Sequence, residues 1–228
     1  MCFSAEVSFV AAAVLIPAGV ACIYQTSKNN RKFVAFAALP MLLGFQQLFE
    51  GFVWVSGEGG YTHWVERMSL AYMFFSWLAW PIWIPISTYF VEPASRKPWF
   101  LVPVVLGSML GALQYFPYLA HDNWLVTRFL DHAISYEGID LLDFIVPRPF
   151  TYTVYLAVII GPLLFSSDAR VRIFGVLVSF VVVITYLFFS YAYVSVFCLG
   201  GAIVSLYIVW MFLGGEKDSQ VLPKFSKA

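Results

Sequence analysis

An all-α, polytopic membrane helix bundle is the fold class this chain predicts, on three observations. First, its 228 residues are 61% hydrophobic and only 11% charged, where soluble domains carry about 25% charged residues. Second, the apolar residues gather into seven runs, each near the roughly 20 residues that cross a bilayer. Third, lysine and arginine divide ten to three between alternating connections. The net charge is zero, which argues against nucleic acid or another polyanion as partner. The bilayer itself is the first partner expected.

The first run, Phe3–Tyr24, follows an N-terminus with no basic region, and no cleavage site closes a short apolar core. It therefore reads as a retained helix, not a cleaved leader. Lys28, Arg31 and Lys32 separate it from the second run, Phe33–Val55, and the third is Met68–Val91. Arg96 and Lys97 precede the fourth, Trp99–Tyr118. After a long connection, Leu119–Pro149, comes the fifth, Phe150–Ser166. No charged residue lies between Arg172 and Glu216. That length crosses twice, so the sixth run is Val171–Phe189, the seventh Val194–Leu213, with a break at Ser190–Tyr193. Pro17, Pro40, Pro81, Pro85, Pro103 and Pro162 lie inside runs, where neighbouring helices can absorb kinks and freed carbonyls.

The ten basic residues fall in the connections after runs one, three and five and in the 214–228 tail; only Arg67, Arg128 and Arg148 lie opposite. The asymmetry predicts an external N-terminus and a cytoplasmic C-terminus. There is no internal repeat, so residues 1–228 form one domain. Within the external 119–149 connection, Asn123–His132 carries Leu125, Val126, Phe129 and Leu130 against Asn123, Thr127, Arg128 and Asp131. This pattern predicts a short amphipathic helix lying along the outer interface.

Glu50 is the residue that stands out, an acid in the middle of the second run. An ionisable group at membrane depth costs several kcal/mol unless it faces a bundle interior, a cavity or a partner. Gln46, Gln47 and Trp54 lie three or four positions away and can share its helical face. One reading makes Glu50 interhelical glue, with the glutamines as donors; the other makes it functional. Cys2 and Cys198 both fall near the external ends of their runs, whereas Cys22 falls at the opposite end. Cys2 and Cys198 would form a disulfide, pack as small buried hydrophobes, or share a metal.

His63, His121 and His132 are all external. His63 and His121 read as solvated, while His132, with Tyr136 four residues on, can fold back over the bundle mouth. Thiolate, imidazole and carboxylate together suit zinc or copper, although no HxxxH, HExxH or CxxC spacing is present. Trp77, Trp80 and Trp83 surround Pro81 and Pro85 in the third run. The tryptophans read as packing or interface anchors and the prolines as a kink beside a cavity. No run contains a lysine for a retinal Schiff base or a histidine pair for haem, and the Walker loop, dinucleotide fingerprint and GxSxG elbow are all missing.

The opening MCFSA, the run LPMLLGFQQLFEGFVW, WPIWIP, His132 with Tyr136, GPLLFSS and VSVFCLGGA together resemble a family of small multi-pass bacterial membrane proteins of unknown function. The resemblance covers most of the chain and brings no activity with it; the family pattern has Trp where this chain has Phe197. The seven-helix layout is also similar to that of the zinc-dependent alkaline ceramidases, whose histidine motif this chain lacks.

These readings place Glu50, Gln46 and Gln47 at the floor of an external polar site and Cys2, Cys198 and His132 at its rim, with Trp54 and Tyr136 contacting ligand. In one function Cys2, Cys198, His132 and Glu50 hold zinc or copper, and Glu50 with His132 catalyses hydrolysis by metal-bound water. The alternatives are a carrier of a small solute or lipophilic ligand, or a structural subunit of a larger, oligomeric membrane complex.

Overall fold

The computed structural model describes residues 4–121, 124–130, 133–138, 146–188 and 193–214. Cys2, His132, most of the expected break before the last run and the tail from residue 215 lie outside the described residues. The described residues are helical apart from one small hairpin and the short connections.

Helix α1 (Ala5–Asn29) leads through a 3-10 turn (Arg31–Phe33) and a single helical turn, α2 (Val34–Ala37), into α3 (Leu39–Glu58). α1 and α3 approach closely because each offers a glycine at the crossing. A Cβ on Gly19 would strike the Met41 backbone, and one on Gly44 would strike Ile16. α3 turns through Gly60, whose φ of +72° suits glycine, into α4 (Thr62–Met73). A π-helical turn (Phe74–Ala79) then joins α4 to α5 (Trp80–Val91). Pro81 explains the bulge: it has no N–H to offer the preceding turn, which rewinds instead of continuing as α-helix. The kink expected from the paired prolines thus takes the form of a wide turn.

α6 (Lys97–Ala120) packs antiparallel to α5, with Gly107 against the Pro81 carbonyl. α7 (Arg148–Leu164), α8 (Ala169–Phe188) and α9 (Tyr193–Val209) follow, and a second π-helical turn (Trp210–Gly214) extends α9. α3 lies against α1, α4 and α9. That central position buries Gln46, Gln47, Glu50 and Trp54 together.

Six continuous helical spans are long and apolar enough to cross a membrane: Ala5–Asn29, Arg31–Glu58, Thr62–Val91, Lys97–Ala120, Ala169–Phe188 and Tyr193–Gly214. The fifth expected crossing is the shorter α7, with 17 residues, so among the described residues six helices, not seven, meet that criterion. The outer faces of α6 and α8 expose Leu101, Val105, Met109, Leu113, Val176, Phe180 and Val183. Contiguous apolar surface of this kind is unusual on soluble monomers and compatible with a multi-pass membrane protein.

One expectation is overturned. Leu125–Leu130 is a strand, β1, not part of an amphipathic helix, and it pairs antiparallel with β2 (Ala133–Gly138) from Leu125↔Gly138 to Leu130↔Ala133. The segment's apolar residues suit either period, and its tertiary partners decide. Ile134 is fully buried against Val53 and Trp54. Thr127 donates to Ser69 Oγ at 2.8 Å, and Arg128 pairs diagonally across the strands with Glu137 at 3.1 Å.

At the opposite end, a second buried acid joins two connections. Glu92, 3% exposed, accepts from Ser166 Oγ at 2.6 Å and from the Ser167 N–H at 2.7 Å. Its other oxygen faces Arg96 Nη1 at 3.5 Å. Arg96 also donates to the Phe165 carbonyl at 2.8 Å, so the α5–α6 and α7–α8 connections are clamped together.

Candidate functional site: a buried polar cluster beside an aromatic cavity

Glu50 is 3% exposed and lies within the bundle. Its Oε1 accepts from Ser195 Oγ of α9 at 2.5 Å, and its Oε2 from Gln47 Nε2 at 3.2 Å. The Tyr72 hydroxyl also interacts with the carboxyl. Among the described residues no cation pairs with Glu50; its partners are neutral donors.

Gln46, one turn earlier, is the hub of the other half. Its Nε2 donates to Ser76 Oγ at 2.9 Å and to Cys198 Sγ at 3.0 Å, while its Oε1 accepts from Trp80 Nε1 at 3.0 Å. Ser76 lies in the π-helical turn, and its carbonyl accepts a short hydrogen bond from the Tyr155 hydroxyl. Pro81 leaves that turn short of an N–H, so the hydroxyl of α7 supplies the missing donor. The bulge, a feature that recurs at functional sites, is therefore what aims Ser76 at Gln46 and Cys198.

Cys198 corrects a second expectation. It is a free thiol, 2% exposed, and it belongs to the floor of the cluster instead of the rim. It lies five residues into α9, about 7.5 Å below the start of that helix, at the depth of Gln46 and Ser76.

Tyr136 of β2 stacks on Tyr72 with ring centroids 4.9 Å apart. Burial pushes its hydroxyl well above the ordinary tyrosine value, and Glu50 and Cys198 nearby add to the effect. The hydroxyl has no hydrogen-bond partner among the described residues. Trp54 is buried beneath the hairpin beside Ile134 and Tyr136, its ring 5.8 Å from that of Phe129 and its Nε1 without a partner among the described residues. His121 is exposed and stacks on Trp124 at 4.0 Å.

Beside the cluster lies a cavity of about 310 Å³, bounded by the π-helical turn, α6, β2, α7 and α9. Trp77, Tyr136, Tyr152, Tyr155, Tyr193 and Phe197 form its aromatic walls. Ser76 and Cys198 belong both to this wall and to the hydrogen-bonded cluster, whereas Glu50, Gln46 and Gln47 sit behind it. Two of the lining groups are buried without a partner, Gln114 Oε1 and the Tyr136 hydroxyl.

Sequence reasoning singled out Gln46, Gln47, Glu50, Tyr136 and Cys198, and the structure brings these five into one neighbourhood. It missed Ser76, Ser195, Tyr72, Tyr155 and Gln114. Ser195 carried a usable signal, because it precedes Cys198 by one helical turn and shares its face. Ser76 and Tyr155 carried none, since their meeting depends on the bulge. Among the described residues no group of three His, Cys, Asp or Glu side chains can hold a metal ion.

Fold and cluster together define a helical bundle with a buried polar interior and a cavity of ligand size. The chain belongs to a family of unknown function (DUF6629), whose profile matches residues 1–221. No curated protein and no solved structure matches it.

Proposed function

We propose that this is a bacterial inner-membrane protein of seven crossings, with α7 as the shortest. Its N-terminus is external, its C-terminus cytoplasmic, and it binds a small organic molecule in the aromatic cavity from the external side, without turnover. The observation that carries this reading is the pair of orphaned groups in the cavity wall. A buried polar group without a partner costs about 1–3 kcal/mol, and a ligand bearing a donor for Gln114 Oε1 and a polar edge for Tyr136 relieves both. The cavity volume, about 310 Å³, is at the small end of the usual range for ligand sites. Its aromatic walls suit a flat apolar body. The polar cluster behind the wall holds Ser76 and Cys198 in place, so Glu50 is a positioning residue in this reading and makes no contact with ligand.

A zinc or copper hydrolase would need Cys2 and His132, which lie outside the described residues, to join Cys198 and Glu50. The donor set around Cys198, which is an amide, a serine hydroxyl and a tyrosine hydroxyl, favours an organic ligand over a metal ion.

Indole and benzofuran test the proposal, because they share a shape and differ in the N–H donor. Calorimetry on the detergent-purified chain should show saturable indole binding, with benzofuran roughly tenfold weaker. Leu156→Trp, which fills the cavity, should abolish binding, and Gln114→Leu should erase the preference for indole. Equal binding of both probes to wild type and Leu156→Trp would show that they partition into the micelle and that the cavity is not a ligand site.

A further inference from the structure

At the other end of the bundle, where the basic connections gather, a groove of about 540 Å³ opens between the end of α1, the start of α8 and the end of α9. Its mouth is polar, with Asn29, Asn30 and Arg170; its inner wall is apolar, with Ile173, Trp210 and Met211. Phe33 contributes an aromatic floor, and two cations converge on that one ring. Lys32 Nζ lies 5.0 Å from its centroid and the Arg170 guanidinium 4.8 Å. Among the described residues a single carboxylate answers them. Asp168 takes a two-pronged hydrogen bond from Arg170, at 3.2 and 3.0 Å. The charges of both Arg170 and Lys32 act on this carboxylate. Among the described residues, Lys32 and Arg170 against Asp168 leave a surplus of one positive charge at this ring. Lys28, held on the hydroxyl and ring of Tyr24, keeps its own positive charge.

We propose that this groove binds an anionic phospholipid, its headgroup at Lys32 and Arg170 and its acyl chain along Ile173, Trp210 and Met211. Charge complementarity selects the occupant. The surplus positive charge favours a headgroup of net negative charge over a zwitterionic one, and the apolar wall behind it favours a lipid over a soluble phosphate. Trp210, 66% exposed, has the amphipathic ring that sits at the headgroup level of a bilayer. The site rests on the membrane placement proposed above but is independent of the aromatic cavity.

Native mass spectrometry of the full chain in detergent tests it, using equimolar palmitoyl-oleoyl phosphatidylglycerol and the matching phosphatidylcholine. Phosphatidylglycerol should be retained roughly fivefold better, about the factor one basic residue contributes beside an anionic lipid surface. Lys32→Gln should remove the preference, and Asp168→Asn should widen it. Opposite shifts from neighbouring substitutions cannot both come from misfolding. Equal retention of the two lipids by wild type would overturn the proposal, as would an unchanged preference in Lys32→Gln. Displacement of the lipid by inorganic phosphate alone would assign the groove to a free anion and overturn it as well. Failure of the membrane placement would show separately, as a chain that stays monodisperse without detergent.

Discussion

Glu50 and Glu92 are equally buried, at 3% exposure each, yet they are satisfied in opposite ways. Glu92 holds a serine hydroxyl, a backbone N–H and a facing arginine, and these tie two connections to each other. Glu50 holds a serine, a glutamine and a tyrosine, all neutral, each reaching it from an interior helix face. Glu92 sits in a corner between two connections, where Arg96 also binds the Phe165 carbonyl. Glu50 sits behind the wall of a cavity, among amides and hydroxyls that can rearrange their hydrogen bonds. The difference suggests that burial of an acid says little by itself; what the partners are, and what space lies next to them, separates a clamp from a site.

Breaking the clamp should have an effect as large as any other single change. Glu92→Ala strands the Ser167 N–H and the Ser166 hydroxyl and removes the facing charge of Arg96. Loss of a buried pair member costs about 3–5 kcal/mol when both partners are enclosed. With Arg96 43% exposed, a loss of about 2 kcal/mol is expected, read as a fall in the denaturation midpoint in micelles. Unchanged stability would mean that the connections do not depend on each other.

Substitution of Glu50 should divide according to chemistry. Glu50→Leu leaves the Ser195 hydroxyl and the Gln47 amide buried without acceptors and should cost about 2 kcal/mol. Glu50→Gln keeps an acceptor for Ser195 and should cost less than about 1 kcal/mol, while weakening indole binding through the displaced wall. If Glu50→Gln destabilised the chain as much as Glu92→Ala and left indole affinity intact, both acids would be clamps and the contrast would collapse.

Asp168 should give the smallest effect. Burial works to raise its carboxyl, but the Arg170 hydrogen bonds and the charges of Arg170 and Lys32 outweigh this and hold it below its ordinary 3.8. Because the folded value is depressed, the stabilisation is fully present above 3.8 and is lost as the pH falls through the lower folded value. Acid titration of stability should therefore show a slightly steeper decline for wild type than for Asp168→Asn, and parallel curves above about pH 5, with wild type slightly the more stable. A difference appearing only at neutral pH would contradict the assignment.

Period and composition alone determined the helical class, the approximate ends of the long apolar helices and the inward face of α3. Burial of Gln46, Gln47 and Glu50 on one helix is a matter of spacing at 3.6 residues per turn, and spacing is written in the chain. Tertiary structure decided the rest. β1 and β2 form because Ile134 and Thr127 find partners on α3 and α4, and no local pattern distinguishes that strand from a helix of the same apolar content. Cys198 reaches Gln46, and Ser76 reaches both, because Pro81 widened one turn of one helix. Glu92 was invisible as a buried group since it lies at a helix end among charged neighbours, where sequence predicts solvent. Contacts between residues 30 to 150 positions apart depend on how helices cross, and crossing geometry is a property of the packed bundle.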